Sequence, residues 1–257
     1  MFVLSLAGFD PSGGAGILMD IKVFSLLGLK GGGIPTTLTL QNTSVFEGWT
    51  PVDVNYFERA LKLVFSDLPV KGIKIGMIGS CEILEVLLFY LKKYHSEGLA
   101  IVYDPVLKAT LNHPLFSSEE FLPLVKKNLL PLLDFITPNL YEASLLTQTE
   151  LKNLKDLEKA GKTLLGYGCK QVIITGYQKK DKIYDCFFSA EKKAFLGKKK
   201  LAFEFHGTGC AFSSSLLGFL VKGASPFFAF KKAKNWLYLY LKKGTVNPLG
   251  GKLCLFL

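Results

Sequence analysis

Arginine is almost absent: Arg59 is the only one in 257 residues, and lysine carries nearly all of the +10 net charge. Proteins that read nucleic acid or clamp phosphate favour the arginine fork, so the charge alone does not point to a nucleic-acid partner. The densest basic run, Lys198-Lys199-Lys200, follows Gly197 between two apolar stretches and reads as a solvated turn. No apolar run of about 18 residues is present, so no membrane-spanning helix is expected. The five cysteines (Cys81, Cys169, Cys186, Cys210 and Cys254) form no C-x-x-C pair and no cysteine–histidine cluster. That argues against a structural zinc site and for a reduced, cytoplasmic setting. The first seven residues are apolar but lack a basic lead, and Gly8-Phe9-Asp10-Pro11 follows at once. A buried first strand fits them better than a signal peptide.

What the chain has in quantity is apolar residues, 49% of the total, against 20% charged. This length supports one large domain more readily than two. Strand-length apolar runs over 2–7, 34–40, 72–76, 99–103, 135–137 and 171–175 alternate with helical patterns over 14–27, 55–66, 82–94, 118–130, 141–146 and 154–165. Residues 182–205 read as antiparallel strands, and helices over 209–221 and 226–243 close the chain. Such alternation predicts a single doubly wound α/β domain over 1–257, a mostly parallel sheet covered by helices on both faces. Ligands of such folds sit beyond the carboxyl ends of the strands.

Two glycine-rich turns fall at those ends. His206-Gly207-Thr208-Gly209-Cys210-Ala211 opens an apolar helix, where tight backbone turns and a helix N-terminus make an anion hole. Cys210 lies in the first turn, a place that stabilises a thiolate. On its own, the turn could equally be an ordinary capped helix start. Gly8-Phe9-Asp10-Pro11-Ser12-Gly13-Gly14-Ala15-Gly16 separates the first strand from the first helix. Its spacing is not G-x-G-x-x-G, and no acidic residue ends a second strand about 20 residues on, which argues against a dinucleotide site. The P-loop ending in Gly-Lys-Ser/Thr is also missing.

Between these turns come Asp20-Ile21-Lys22, Gln41-Asn42-Thr43, Lys74-Ile75-Gly76-Met77, Asp104-Pro105-Val106 and Thr137-Pro138-Asn139-Leu140-Tyr141-Glu142-Ala143. In this order, the motifs resemble the hydroxymethylpyrimidine/phosphomethylpyrimidine kinases of thiamine biosynthesis, within the ribokinase superfamily, from end to end. The resemblance implies a ribokinase-like three-layer α/β fold, a phosphotransferase using ATP and Mg²⁺, and a small pyrimidine alcohol as acceptor. It also implies a homodimer with no nucleic-acid or membrane partner. Gln41 matches the position that hydrogen-bonds the aminopyrimidine, a task suited to an amide with both donor and acceptor. Gly8, Asp20, Met77 and Val106 match other pocket positions. Asn139 and Glu142 match the element supporting Mg²⁺ and its waters, and Asp104 is a further metal candidate. Thr175, Gly176, His206 and Asn139 fall on the nucleotide side. Cys210 takes the catalytic position, with Gly207, Thr208 and Gly209 forming the anion hole. Without the resemblance, Met77 and Val106 read as core, Gln41 as a polar strand end, and Asn139 as a helix N-cap.

The chain departs from the family pattern in several places. Ala109-Thr110-Leu111-Asn112-His113 stands where A-K-S-G-D is usual, Thr175-Gly176-Tyr177-Gln178 where K-G-G-H is, and Phe9 where a small hydroxyl residue is. Val246-Asn247-Pro248-Leu249-Gly250-Gly251 replaces a glycine- and histidine-rich C-terminus. Two lysines expected near phosphate are therefore missing, with Lys108, Lys179 and Lys180 as the nearby substitutes. A pyridoxal or pyridoxine kinase of the same fold, and a weakly catalytic pyrimidine- or nucleotide-binding regulator, are the rival readings.

Overall fold

A computed structural model of the chain describes residues 1–95, 98–107, 115–116, 118–203 and 205–243 in full, and the backbone of 245–246 and 253–255. Lys108, the 109–113 stretch and residues 247–251 lie outside the described residues. In chain order the elements are β1 (Phe2–Phe9), α1 (Gly16–Leu26), β2 (Lys30–Gln41), β3 (Phe46–Pro51), α2 (Val54–Asp67), β4 (Val70–Ile75), α3 (Cys81–Tyr94) and β5 (Ala100–Tyr103). Next come α4 (Phe121–Leu124), β6 (Phe135–Ile136), α5 (Leu140–Thr147), α6 (Leu154–Gly166), β7 (Gln171–Lys179), β8 (Lys182–Ser189) and β9 (Lys193–Lys199). Then follow β10 (Phe205–His206), α7 (Thr208–Val221), α8 (Pro226–Lys243), β11 (Thr245–Val246) and β12 (Leu253–Leu255).

The main sheet has nine strands in the order β3-β2-β1-β4-β5-β6-β7-β8-β9. The six from β2 to β7 are mutually parallel, while β3, β8 and β9 are antiparallel additions at the two sides. Side chains alternate across a strand, so each strand feeds both layers. From β1, Leu4 and Leu6 enter an apolar layer with Phe57 and Leu61 of α2 and Leu84 and Leu87 of α3. Val3 turns the other way, to Phe24 of α1, Leu216 and Leu217 of α7 and Phe230 of α8. The three-layer α/β architecture expected from the sequence is the one found.

The differences have local causes. The β2 strand begins earlier than expected, at Lys30, and its glycines leave room for neighbours: a Cβ at Gly33 would come within 2.5 Å of Ile17 Cγ2 on α1, and one at Gly32 within 2.7 Å of the Phe2 ring. The helix expected over 118–130 is only the short α4, continued by a π turn (Val125–Leu129) and a 3-10 turn (Leu130–Leu132). Pro131 cannot donate to a helical ladder, and the chain leaves in the tighter turn. The Lys198-Lys199-Lys200 run is not simply a turn, since its first two residues finish β9. A small second sheet, β10-β12-β11, sets Cys254 beside His206 in parallel register.

Candidate active site

From β1 the chain winds outward to β2 and β3 and then returns to β4 on the other side of β1, so the strand order reverses there and a crevice opens at the carboxyl end of β1. The cleft found there has a cavity volume of about 120 Å³ and opens to solvent. Of the pocket residues expected from the sequence, Gly8, Gln41, Met77 and Val106 line it, together with the catalytic candidate Cys210 and with His206, which was expected on the nucleotide side. Gln41 is held by donating from Nε2 to Thr39 Oγ1 at 2.9 Å. Met77 packs with Leu115, Phe46, Trp49 and Val106, which gives the cleft an apolar wall.

The two glycine-rich turns meet backbone to backbone. Gly16 has φ +58°, and a Cβ there would stand 2.2 Å from the Gly8 carbonyl oxygen. At Gly207, with φ +73°, a Cβ would stand 1.8 Å from the Gly14 carbonyl oxygen. Only glycine satisfies both the dihedral and the contact at these positions. His206 Nε2 and Asp10 Oδ2, 3.0 Å apart, tie the turns together. Burial works to raise the Asp10 carboxyl, but hydrogen bonds from His206 and Ser12 outweigh it and hold the group below its ordinary value. Gly207 caps α7, and the first amides of a helix have no partner within it.

Cys210 faces the cleft from the first turn of α7. Its position at a helix start was expected to favour a thiolate, and here the structure corrects the sequence reading. Burial pushes the thiol up to about 12; Lys74 pulls the other way, while Asp104 and Asp20 add to the rise. Asp20 needs a correction too. It is fully buried, does not line the cleft, and accepts from Ser5 Oγ at 2.6 Å and Ser214 Oγ at 2.7 Å. Its carboxylate lies behind the pocket wall, 3.0 Å from Lys74 Nζ. Lys74 does line the cleft, and the sequence reading gave it no role. The available signal was a lysine flanked by two apolar residues, Ile73 and Ile75, within a strand.

Asp104, just past β5, sits beneath α7: it accepts from Ser213 Oγ at 3.2 Å, and a Cβ at Gly209 would lie 3.5 Å from it. Asn139 and Glu142 form a reciprocal capping box on α5, so the N-cap reading of Asn139 holds. Thr175 joins them: its N–H donates to the Pro138 carbonyl at 2.9 Å, and it bridges to Asn139. The Gly176 amide is already taken by Asp185 Oδ1 at 3.0 Å, so it offers no free donor to a nucleotide. Asn139, Glu142, Thr175 and Gly176 thus form a flank apart from the cleft that holds Gln41. Burial raises Asp104 and raises Glu142 well above the ordinary carboxylate value, with Asp104 adding repulsion to Glu142. A divalent cation would relieve both, and oxygen donors of this kind suit Mg²⁺. Among the described residues no group of three His, Cys, Asp or Glu side chains could hold a metal unaided. Mg²⁺ commonly uses only one or two carboxylates, completed by phosphates and water.

Comparison with known proteins identifies the family. A hydroxymethylpyrimidine/phosphomethylpyrimidine kinase of Aquifex aeolicus is 35% identical over 244 residues, covering 92% of each chain. The crystal structure of a phosphomethylpyrimidine kinase from Clostridium difficile superposes with a TM-score of 0.80 at 29% identity, covering 94% of this chain and 99% of that one. The Staphylococcus aureus pyridoxal kinase in complex with pyridoxal gives a TM-score of 0.86 at 28% identity, covering 98% and 92%. The family profile described as Phosphomethylpyrimidine kinase matches residues 10–251, and this chain belongs to that kinase family.

Proposed function

We propose that the protein transfers the γ-phosphoryl group of ATP to the hydroxymethyl oxygen of 4-amino-5-hydroxymethyl-2-methylpyrimidine, in thiamine biosynthesis. A slower second transfer to the resulting monophosphate follows. One observation carries this reading: the cleft at the end of β1 joins the Gln41 amide, the apolar Met77–Val106 wall and Cys210 in one space. An amide facing an apolar slot suits a flat aminopyrimidine, and a cysteine beneath a turn of free amides suits an alcohol meeting a phosphoryl group. The curated relatives with this name, and pyridoxal kinases of the same fold crystallised with AMP-PCP or ADP, support the nucleotide assignment. In this reading Gly207, Thr208, Gly209 and Cys210 present their amides to the γ-phosphate, and the small fraction of Cys210 that is thiolate takes the hydroxyl proton. Asn139, Thr175 and His206 lie toward ATP. Asp104 and Glu142 would hold Mg²⁺, which supplies charge neutralisation to the phosphates.

The pyridoxal-kinase likeness makes pyridoxal the second candidate acceptor. Alcohol-dependent ADP formation with the pyrimidine alcohol, its monophosphate and pyridoxal separates these readings. The pyrimidine alcohol is expected to give the largest kcat/KM, and a larger value for pyridoxal would replace the assignment. Thr175 and Thr110 stand where family lysines meet phosphate, so Thr175→Lys and Thr110→Lys should speed the monophosphate more than the alcohol. Lys179 and Lys180 lie at the exposed β7–β8 turn, about 13 Å or more along the strand from Thr175, and cannot replace the cation without a large movement.

We infer a homodimer as well. Support comes from Phe9, Leu38, Leu40 and Val45, exposed apolar residues at one end of β1–β3; Leu40 is 67% exposed. A second copy would cover this face, and light scattering should give twice 28.4 kDa. A monomer at working concentration would overturn that inference. A cytoplasmic setting fits the free Cys81, Cys169, Cys186 and Cys210. Among the described residues no helix is long and apolar enough to cross a membrane.

A further inference from the structure

Lys74 is the buried charge that nothing above employs. Its side chain is wholly inaccessible, on a strand whose neighbours Ile73 and Ile75 are equally buried. Ser5 stands opposite it in the β1–β4 register, and Asp20 approaches Nζ to 3.0 Å. That carboxylate is already occupied by two hydroxyls, from Ser5 and Ser214. Asp20 pairs with Nζ and can take one of its protons, while the other N–H donors have no partner among the described residues. An ammonium has three N–H donors, and leaving any of them unused in a dry interior is costly. A methionine would fill the same volume without that cost, so packing does not explain a lysine here.

The direction of the side chain supplies an explanation. Lys74 lines the cleft floor together with Cys210. Gly76 leaves room for it, since a Cβ there would meet Nζ at 3.0 Å. Burial disfavours the charge, but Asp20, Cys210 and Asp104 outweigh it and keep the ammonium protonated. A protonated amine acts as a donor rather than as a nucleophile.

We propose that Lys74 is a catalytic residue that donates an N–H from the cleft floor to the hydroxymethyl oxygen of the acceptor alcohol. This rests on the alcohol-kinase reading given above. In the step, the alcohol oxygen bonds to the γ-phosphorus as the phosphorus–oxygen bond to ADP breaks. The hydroxyl proton passes to the Cys210 thiolate, and Lys74 keeps its own protons. Asp20, Ser5 and Ser214 hold the ammonium in place beforehand, so it steadies the charge developing on oxygen without reorganising.

The competing explanation is that Lys74 only balances Asp20. Lys74→Met and the double variant Lys74→Met/Asp20→Asn distinguish the two, because the double variant removes both buried charges. Each is checked for folding by circular dichroism and assayed for pyrimidine-alcohol-dependent ADP formation. Both are expected to lose about 10²–10³ in kcat, the usual effect of removing one oxyanion donor, with the KM for ATP nearly unchanged. Recovery of near-wild-type kcat in the double variant would overturn the proposal and leave Lys74 a counter-ion. A wild-type protein with no alcohol-dependent turnover would instead remove the alcohol-kinase reading, and this proposal with it. Should the variants fail to fold, a crystal structure of the wild-type protein with the alcohol bound decides. Nζ is expected about 2.6–3.2 Å from the hydroxymethyl oxygen, and Nζ out of hydrogen-bond reach overturns the assignment.

Discussion

The two faces of the sheet are built differently. Behind α2 and α3 the layer is almost purely apolar, with Leu4, Leu6, Phe57, Leu61, Leu84 and Leu87 all buried. Behind α1 and α7 the apolar cluster is interrupted by Ser5, Asp20, Lys74, Ser213, Ser214 and Asp104, all of them buried as well. Buried charges cost stability unless paired and hydrogen-bonded, and apolar residues of similar volume are often as stabilising or more so. The first face therefore serves the fold, and the second gives up stability to place donors and acceptors under the cleft. The thiols repeat the contrast: burial lifts Cys169, Cys186 and Cys210 alike to about 12, but only Cys210 opens on the cleft.

A large effect is expected from pH, and it separates the two kinds of thiol. If turnover uses the Cys210 thiolate, raising pH from 7 to 9 increases that form, and kcat should rise by up to about tenfold per unit. Stability should not follow. A thiol whose folded pKa is raised contributes stability that is complete below its unfolded value near 9.0 and lost as pH climbs toward 12. Thermal unfolding at successive pH values should thus show a decline in Tm above about pH 9 from the buried thiols. A pH-independent kcat between 7 and 9 would remove Cys210 as the group that takes the proton.

A smaller effect is expected at the cleft wall. Gln41→Leu removes ring-edge hydrogen bonds worth about 0.5–1.5 kcal/mol each, so affinity for the aminopyrimidine should fall about 3- to 30-fold. ATP affinity, which the proposed assignment places on the other flank, should be unchanged by calorimetry. Equal losses for both ligands would show that the two flanks are not separate.

Much of this was legible in the sequence, because strand-length apolar runs and helical periodicity reflect burial directly. The glycines of the two turns were legible for the same reason, as residues whose presence is forced by close backbone contact. Asp20 and Lys74 were not. A motif places them in a chain order, but which side chain reaches the cleft and which stands behind it depends on the β1–β4 register and on Ser214, 194 residues from Asp20. Thiolate stabilisation at Cys210 failed similarly: the helix N-terminus is local and visible in sequence, whereas the burial that outweighs it is tertiary. Edge strand β3 and the small sheet at β10 were missed because short pairings leave little periodicity to read.

The most direct test measures stability and turnover side by side in one variant from each face. Phe57→Ala should lower the unfolding free energy by about 3–5 kcal/mol while the folded fraction keeps its kcat. Cys210→Ala should remain folded with a small change in stability and lose about 10²–10⁴ in kcat. A Cys210→Ala protein that turns over at the wild-type rate, or a Phe57→Ala protein that stays folded yet loses activity to the same degree, would contradict the division of the molecule into a structural and a chemical face.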